Sequence, residues 1–247
     1  AGAAGGWLAK NVIEPVFGPK SSATATPDAT VSATASASQA AAASGRVEEN
    51  ITAQEIALYT LQVGAYSDQT NAKGAADAIA ALGGAGYVAY DGTLYRVLAA
   101  GYVDEADAKD VQTSLKTQNV TSTVFELKSG KLEFKIGATP AQVEAIKACF
   151  ATVPSAVEAL QQIVFDADKG KDVNGEIQAL KTDVAAAYDN LKAEIPSDDS
   201  AIQSLAAYMA GFCEKMNNIP VSADVSAVEF SAALKYNLIG IVVDYSA

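Results

Sequence analysis

The 247-residue sequence is poor in His and Cys, two residue types that often act in acid–base, nucleophilic or metal chemistry. It has no His, which is the most common general base and the most common metal ligand in proteins. Its two cysteines, Cys149 and Cys213, lie far apart in sequence and cannot form a zinc site by themselves. They could form one disulfide in an exported protein or remain two buried thiols. We therefore expect no catalytic site, no metal and no other cofactor.

The acidic residues form neither a recognisable metal site nor a recognisable catalytic site. Asp166, Asp168 and Asp172 surround Gly170 as in a calcium loop, but the twelve-residue spacing with its terminal Glu is absent. We interpret them as a solvated turn. A glycosidase could act with carboxylates alone, yet each candidate lies on an ordinary charged helical face: Glu158, Glu176 and Glu194.

The net charge excludes one class of ligand. With 17 Lys and Arg against 29 Asp and Glu, the chain carries a formal charge of −12. Binding to a phosphate backbone requires a basic surface that releases counterions, and no segment of this sequence is basic. We therefore expect no nucleic-acid partner.

The remaining candidates are polar side chains that belong to predicted strands. Residues 59–66 alternate between apolar and small or polar side chains, which predicts a half-buried strand. Ser67 and Asp68 then supply a helix cap, and a helical apolar pattern follows until Gly83 and Gly84.

The same pattern then repeats. A strand at 87–90, a hairpin signal at Asp91-Gly92, a strand at 94–98, a helix after Asp104 and a strand at 120–127 complete a βαββαβ order. This order predicts one sheet with both helices on one face. Because strand side chains alternate, Tyr95 and Val97 belong with the core set, and Leu94 and Arg96 point outward beside Gln62 on the helix-free face.

Residues 59–72, with Gln62, Gly64 and the pair Asn71-Ala72, resemble the opening signature of the SPOR family. Tyr95-Arg96-Val97 and Gly101-Tyr102, followed by an Asp/Glu-Ala helix, resemble its second half. The resemblance spans residues 57–128.

The resemblance implies a fold similar to RNA-binding sheet modules and a different ligand: peptidoglycan glycan strands from which the stem peptides have been removed. Such strands accumulate where amidases act, notably at division septa. The implied binding residues are Gln62, Gly64, Ser67, Asp68, Leu94 and Arg96. Planar amide and guanidinium donors suit the hydroxyl and acetamido groups of a carbohydrate, and Gly64 would let the sugar approach the backbone.

Simpler interpretations of the same residues stay open. Gln62 could be a solvated strand residue, and Arg96 could form a surface ion pair with Asp91 or Glu126. The sequence also departs from the family, because Leu94 stands where several members have an aromatic residue and Ala65 stands where Ser is frequent. Weaker glycan affinity or a shifted ligand preference would follow.

The rest of the chain predicts three further regions. Residues 1–20 are interpreted as a membrane-proximal segment, the outer end of a removed membrane helix or signal segment that could tether the chain; a short surface helix is the alternative. Residues 21–56 are interpreted as a flexible Ser/Thr/Ala-rich linker. Residues 138–247 read as amphipathic helices in an antiparallel bundle, the last of them more uniformly apolar. The first of these helices is predicted to begin with a cap at Thr139-Pro140 and to carry an apolar stripe of Val143, Ile146, Phe150 and Val153. The expected fold class is therefore α+β.

Three functions remain in competition. We favour a non-catalytic protein of the bacterial envelope, outside the cytoplasmic membrane, that binds glycan through the sheet. The alternatives are a scaffold whose helical bundle recruits a protein partner, and an enzyme of wall metabolism that uses the SPOR unit for targeting.

Overall fold

The computed structural model describes residues 45–195, 200–221 and 226–245. The strands in this part of the chain are β1 (Val47–Ala53), β2 (Ala57–Tyr66), β3 (Tyr87–Tyr90), β4 (Tyr95–Tyr102), β5 (Thr123–Lys128) and β6 (Leu132–Ala138). The helices are α1 (Gln69–Ala80), α2 (Glu105–Thr117), α3 (Pro140–Asp168), α4 (Asn174–Glu194), α5 (Ser200–Asn217) and α6 (Ala227–Tyr245). The expected membrane-proximal segment at 1–20 and most of the expected linker lie outside the described residues.

Strands β2 to β5 form one antiparallel sheet in the order β3-β4-β2-β5. The predicted βαββαβ order is confirmed over this region. The two helix starts are also where the sequence places them, because the carboxylates of Asp68 and Asp104 accept backbone hydrogen bonds from Asn71 and Ala106. Small residues such as Ala72 and Ala108 are fully buried, which lets α1 and α2 pack closely on one face of the sheet.

The end of the expected linker is ordered, so its boundary at residue 56 was wrong. Strand β1 pairs antiparallel with β6 over seven residues, from Val47 opposite Ala138 to Ala53 opposite Leu132. Ser129 continues the pairing toward the sheet, since it exchanges hydrogen bonds of 2.9 Å with the backbone of Ile56. The two strands therefore form a ribbon that joins the entry and the exit of the sheet domain.

The helical region is confirmed. Helix α3 begins with the predicted cap: the Thr139 side chain and Gln142 form a capping box, and Pro140 occupies the first helical position. The predicted apolar stripe of α3 is buried: Val143, Ile146, Phe150 and Val153. Helices α4 and α5 follow in sequence, and α6 returns to pack on α3. Taken together, the chain has the expected α+β class.

By length and composition alone, α3 is the described helix that could cross a membrane. A core helix passes the same test, and here α3 buries its apolar stripe against its neighbours. Cys149 on α3 and Cys213 on α5 are both buried and free. Burial raises the pKa of the Cys149 thiol to about 12, so this thiol is a poor nucleophile.

The main departure from expectation concerns α6. This helix packs against the bundle on one side and against the sheet on the other, on the face opposite α1 and α2. The face that we expected to be free of helices, called the open face below, is therefore partly covered. The uniformly apolar sequence of α6 has a physical reason, because a helix that is apolar all round is buried on more than one side.

A polar cluster fixes this arrangement. The Lys235 ammonium donates to the carbonyl oxygen of Gly83 at 3.0 Å, to Asp168 at 2.9 Å and to Ser231 Oγ at 2.7 Å. The Ser231 hydroxyl lies 2.6 Å from the Asp168 carboxylate and 3.2 Å from the Gly83 oxygen. These bonds link α6, the end of α3 and the loop before β3, and they account for all three ammonium hydrogens.

Candidate functional site

Side-chain alternation along β2 and β4 divides the sheet as predicted. Leu61 and Val97 pack toward α1 and α2, whereas Gln62 and Arg96 lie on the open face. The assignment holds although the register shifts between Thr60 and Gln62 and again between Gln62 and Gly64. The structure therefore brings together the two residues that the sequence singles out as donors.

Arg96 is the centre of a network on this face. Its Nη1 donates to Gln62 Oε1 at 2.7 Å, and its Nε donates to Asp91 Oδ2 at 2.6 Å. Its Nη2 lies 2.5 Å from the same Asp91 oxygen. Of the two ion-pair partners left open above, the structure selects Asp91; Glu126 pairs with Lys128 instead.

Asp91 connects this network to the β3–β4 turn. Its Oδ1 accepts hydrogen bonds from the backbone nitrogens of Thr93 at 2.9 Å and Leu94 at 2.8 Å. These backbone bonds, followed by the contact with Arg96, hold the pKa of the Asp91 carboxyl below its ordinary value of 3.8. A negatively charged Asp91 therefore holds both the turn and the guanidinium.

The Phe125 ring packs against the guanidinium of Arg96 in a cation–π contact. The Arg96 Cζ lies 4.8 Å from the centroid of the Phe125 ring, so the charged group reaches from β4 across β2 to β5. The side chain of Arg96 keeps 23% of its surface exposed. Arg96 is thus held in one orientation and is less exposed than we expected, while remaining accessible.

Gly64 has a different role from the expected one. A Cβ atom at this position would lie 2.6 Å from Cε2 of Tyr66, so the aromatic ring occupies the space that a side chain would need. The register shift pairs Gly64 with Val97, whose side chain points toward α1. Because Gly64 has no side chain, the Tyr66 ring fits on the helical side of the sheet. The absence of a side chain at Gly64 therefore does not open a path for a sugar on the open face.

The other expected residues lie near the same end of the sheet. Ser67 and Asp68 are exposed, and Asp68 caps α1. Leu94 is half-buried in the β3–β4 turn, two residues before Arg96. Ala65 pairs with Arg96, Thr123 pairs with Gln62, and both are exposed. We call Gln62, Ala65, Arg96 and Thr123 the uncovered end of the open face.

The covered end consists of Leu58, Thr60, Leu98 and Gly101, all buried. Ile239 of α6 is fully buried in the same cluster as Leu98, and a Cβ atom at Gly101 would lie 3.3 Å from Ile239 Cγ1. A ligand can therefore reach the open face only at its uncovered end while α6 is in place.

Sequence reasoning missed the role of Phe125. It placed Asp91 in the hairpin turn and named it as one possible ion-pair partner of Arg96, but it did not see that one carboxylate does both. The signal for Asp91 was present, since Asp at the start of a β-turn commonly bonds the backbone two residues on. Phe125 lies on an edge strand, and no local pattern connects it to a residue on β4.

The acidic cluster shows no ligand geometry. Asp166 pairs with Lys171 and Asp168 with Lys235. Within the described ranges, no group of three or more metal-ligating side chains is close enough to hold a metal ion.

The sheet and its two helices form a small α+β module. Residues 57–126 match the family model of the SPOR domain, and this confirms that the chain contains a SPOR domain. A SPOR domain indicates peptidoglycan binding in the bacterial cell envelope, outside the cytoplasmic membrane. Neither a curated protein nor a solved structure matches the chain.

Proposed function

We propose that this chain is a non-catalytic envelope protein that binds peptidoglycan glycan strands without stem peptides through the uncovered end of the open face. The Arg96 network carries the proposal, since a guanidinium fixed by Asp91, Gln62 and Phe125 is preorganised for a polar ligand. Preorganisation reduces the entropy lost on binding. Two of the five guanidinium N–H groups remain for a ligand after the bonds to Asp91 and Gln62.

Removal of the stem peptides favours this site for a steric reason. The covered end and α6 leave one accessible strip of the face, so a bare glycan fits more easily than one with peptides projecting toward the helix. The acidic character of the chain also disfavours the free carboxylates of stem peptides, because like charges repel.

Cosedimentation with sacculi, before and after amidase treatment, tests the proposal. The parent should bind amidase-treated sacculi more tightly, and Arg96→Ala should weaken binding by about 1–3 kcal/mol through loss of charge-assisted donors. Gln62→Ala should weaken it less, because it removes a neutral acceptor and loosens the guanidinium.

Lys109→Ala is the matched control, since it removes one positive charge from the opposite side of the domain, where Lys109 pairs with Glu105. It should bind as the parent does. A thermal melt of each variant separates a lost contact from a lost fold. Equal binding by the parent and a folded Arg96→Ala variant would show that the uncovered end is not the site.

A further inference from the structure

The flank of α6 that borders the uncovered end carries an exposed aromatic residue. Tyr236 has 43% of its surface exposed, and its ring centroid lies 4.9 Å from that of Tyr87 on β3. Gly240 follows one helical turn later, and a Cβ atom there would meet only Tyr87 Cε2, at 3.4 Å. This flank therefore offers an open surface beside the sheet.

Helical geometry fixes the direction of this flank. Leu234, Leu238 and Val242 recur at intervals of four and are buried in the bundle core, and Ile239 beside them touches the covered end of the sheet. Tyr236 and Gly240 lie on the far side of Ile239 from the bundle. Tyr236 packs on Tyr87, which pairs with Leu98 of the covered end, and Leu98 in turn pairs with Gln62 of the uncovered end. This flank of α6 therefore lies over the boundary between the two ends.

The two surfaces supply complementary halves of a carbohydrate site. A sugar ring combines polar edges with an apolar face, and it needs hydrogen-bond donors together with a flat apolar contact. On the sheet, Phe125 lies beneath Arg96 and Tyr87 is buried, so neither ring is free to receive a sugar face. Tyr236 is an exposed ring packed on Tyr87, two pairings across the sheet from Gln62, and it belongs to a helix outside the SPOR domain.

We propose that Tyr236 is a glycan-binding residue, and that a sugar ring stacks on it while Arg96 binds the polar groups of the same strand. This inference rests on the function proposed above and extends it. The helical region then has a part in recognition, because α6 provides one wall of the site. The ligand would cross the strands along this wall.

Binding of amidase-treated sacculi by Tyr236 variants tests the inference. Tyr236→Phe keeps the ring and should bind within about twofold of the parent, whereas Tyr236→Ala should bind roughly 3- to 10-fold more weakly. Tyr236→Leu keeps apolar bulk against Tyr87 without a flat ring, and it should also bind more weakly if Ala proves unstable. Tyr90→Ala is the matched control, because Tyr90 is 38% exposed and packs on Tyr95, on the other face.

The outcomes separate the two proposals. If Arg96→Ala loses binding while the folded Tyr236→Ala and Tyr236→Leu variants bind as the parent does, the role of Tyr236 is wrong and the sheet site stands. Tighter binding by Tyr236→Ala would also overturn it, since the helix would then obstruct the ligand. A parent that does not cosediment would overturn the proposed function itself.

Discussion

At one end of the open face, Leu98 and Gly101 lie beneath Ile239 of α6, whereas at the other end Arg96 lies beside Gln62 within reach of solvent. Both ends belong to the same strands and to the same side of the same sheet. The covered end is buried, mostly apolar and packed like a protein interior, and the uncovered end is mostly polar and held by directed hydrogen bonds. One sheet face can therefore serve both as core and as binding surface. The part that a neighbouring helix covers becomes core, and the part that it leaves uncovered can bind a ligand.

The largest expected effect is on the free energy of unfolding, and it appears when two leucines of the sheet domain are compared. Leu98→Ala should lower the free energy of unfolding by about 2–5 kcal/mol, because Leu98 is fully buried under α6. Leu94→Ala, in the half-buried turn, should cost less than about 1 kcal/mol. Chemical denaturation of both variants measures the difference. Similar losses would mean that α6 does not cover the sheet in solution.

An intermediate effect is expected where the strand and the helix approach most closely. Gly101→Val should destabilise the protein by about 1–3 kcal/mol, since a Cβ atom there already lies 3.2 Å from Leu58 Cδ1 and 3.3 Å from Ile239 Cγ1. The control is Gly137→Val on β6, where a Cβ atom meets nothing within 4 Å. Thermal melts should show a lower Tm for the first variant alone. A neutral Gly101→Val would contradict the close contact.

The smallest expected effect is the pH dependence of the stability that Asp91 contributes beside the uncovered end. Because the folded state lowers the pKa of Asp91, its carboxylate stabilises the fold above its ordinary value of 3.8, and this contribution is lost as the pH falls through the lower, folded-state pKa. The stability difference between the parent and Asp91→Asn should therefore be largest near neutral pH and shrink in acid.

Urea titrations at neutral and acidic pH measure this difference. Asp77→Asn, which removes a carboxylate from the exposed pair with Lys73 on α1, corrects for the change in net charge. A difference that grows toward low pH would contradict the assignment of Asp91 to the turn and to Arg96.

Local features of the sheet domain and of the helical region could be predicted from the sequence because each depends on neighbouring residues. The caps at Asp68 and Thr139 and the shared face of Gln62 and Arg96 follow from short-range patterns, and the structure has all of them. The role of Gly64 could not be read in this way, since the register shift beside it turns the position toward Tyr66.

Features that depend on distant partners were missed. Strand β1 contains the polar run Glu48-Glu49-Asn50, and its partner β6 lies about 80 residues further along the chain. A half-exposed ribbon buries only a few side chains, such as Ile51 and Ala53, so the segment looked like the end of a linker. The position of α6 over the sheet likewise requires knowledge of the tertiary packing.

The ribbon of β1 and β6 has a mechanical consequence. Val47 and Ala138 are paired at the end of the ribbon away from the sheet, so the chain enters and leaves the SPOR domain at nearly the same point. Tension applied across these two residues first separates the seven pairs of the ribbon one after another, as a zipper opens. A force that pulls Val47 and Ala138 apart therefore acts first on the ribbon, and the sheet of the SPOR domain bears little of this force until the ribbon has opened.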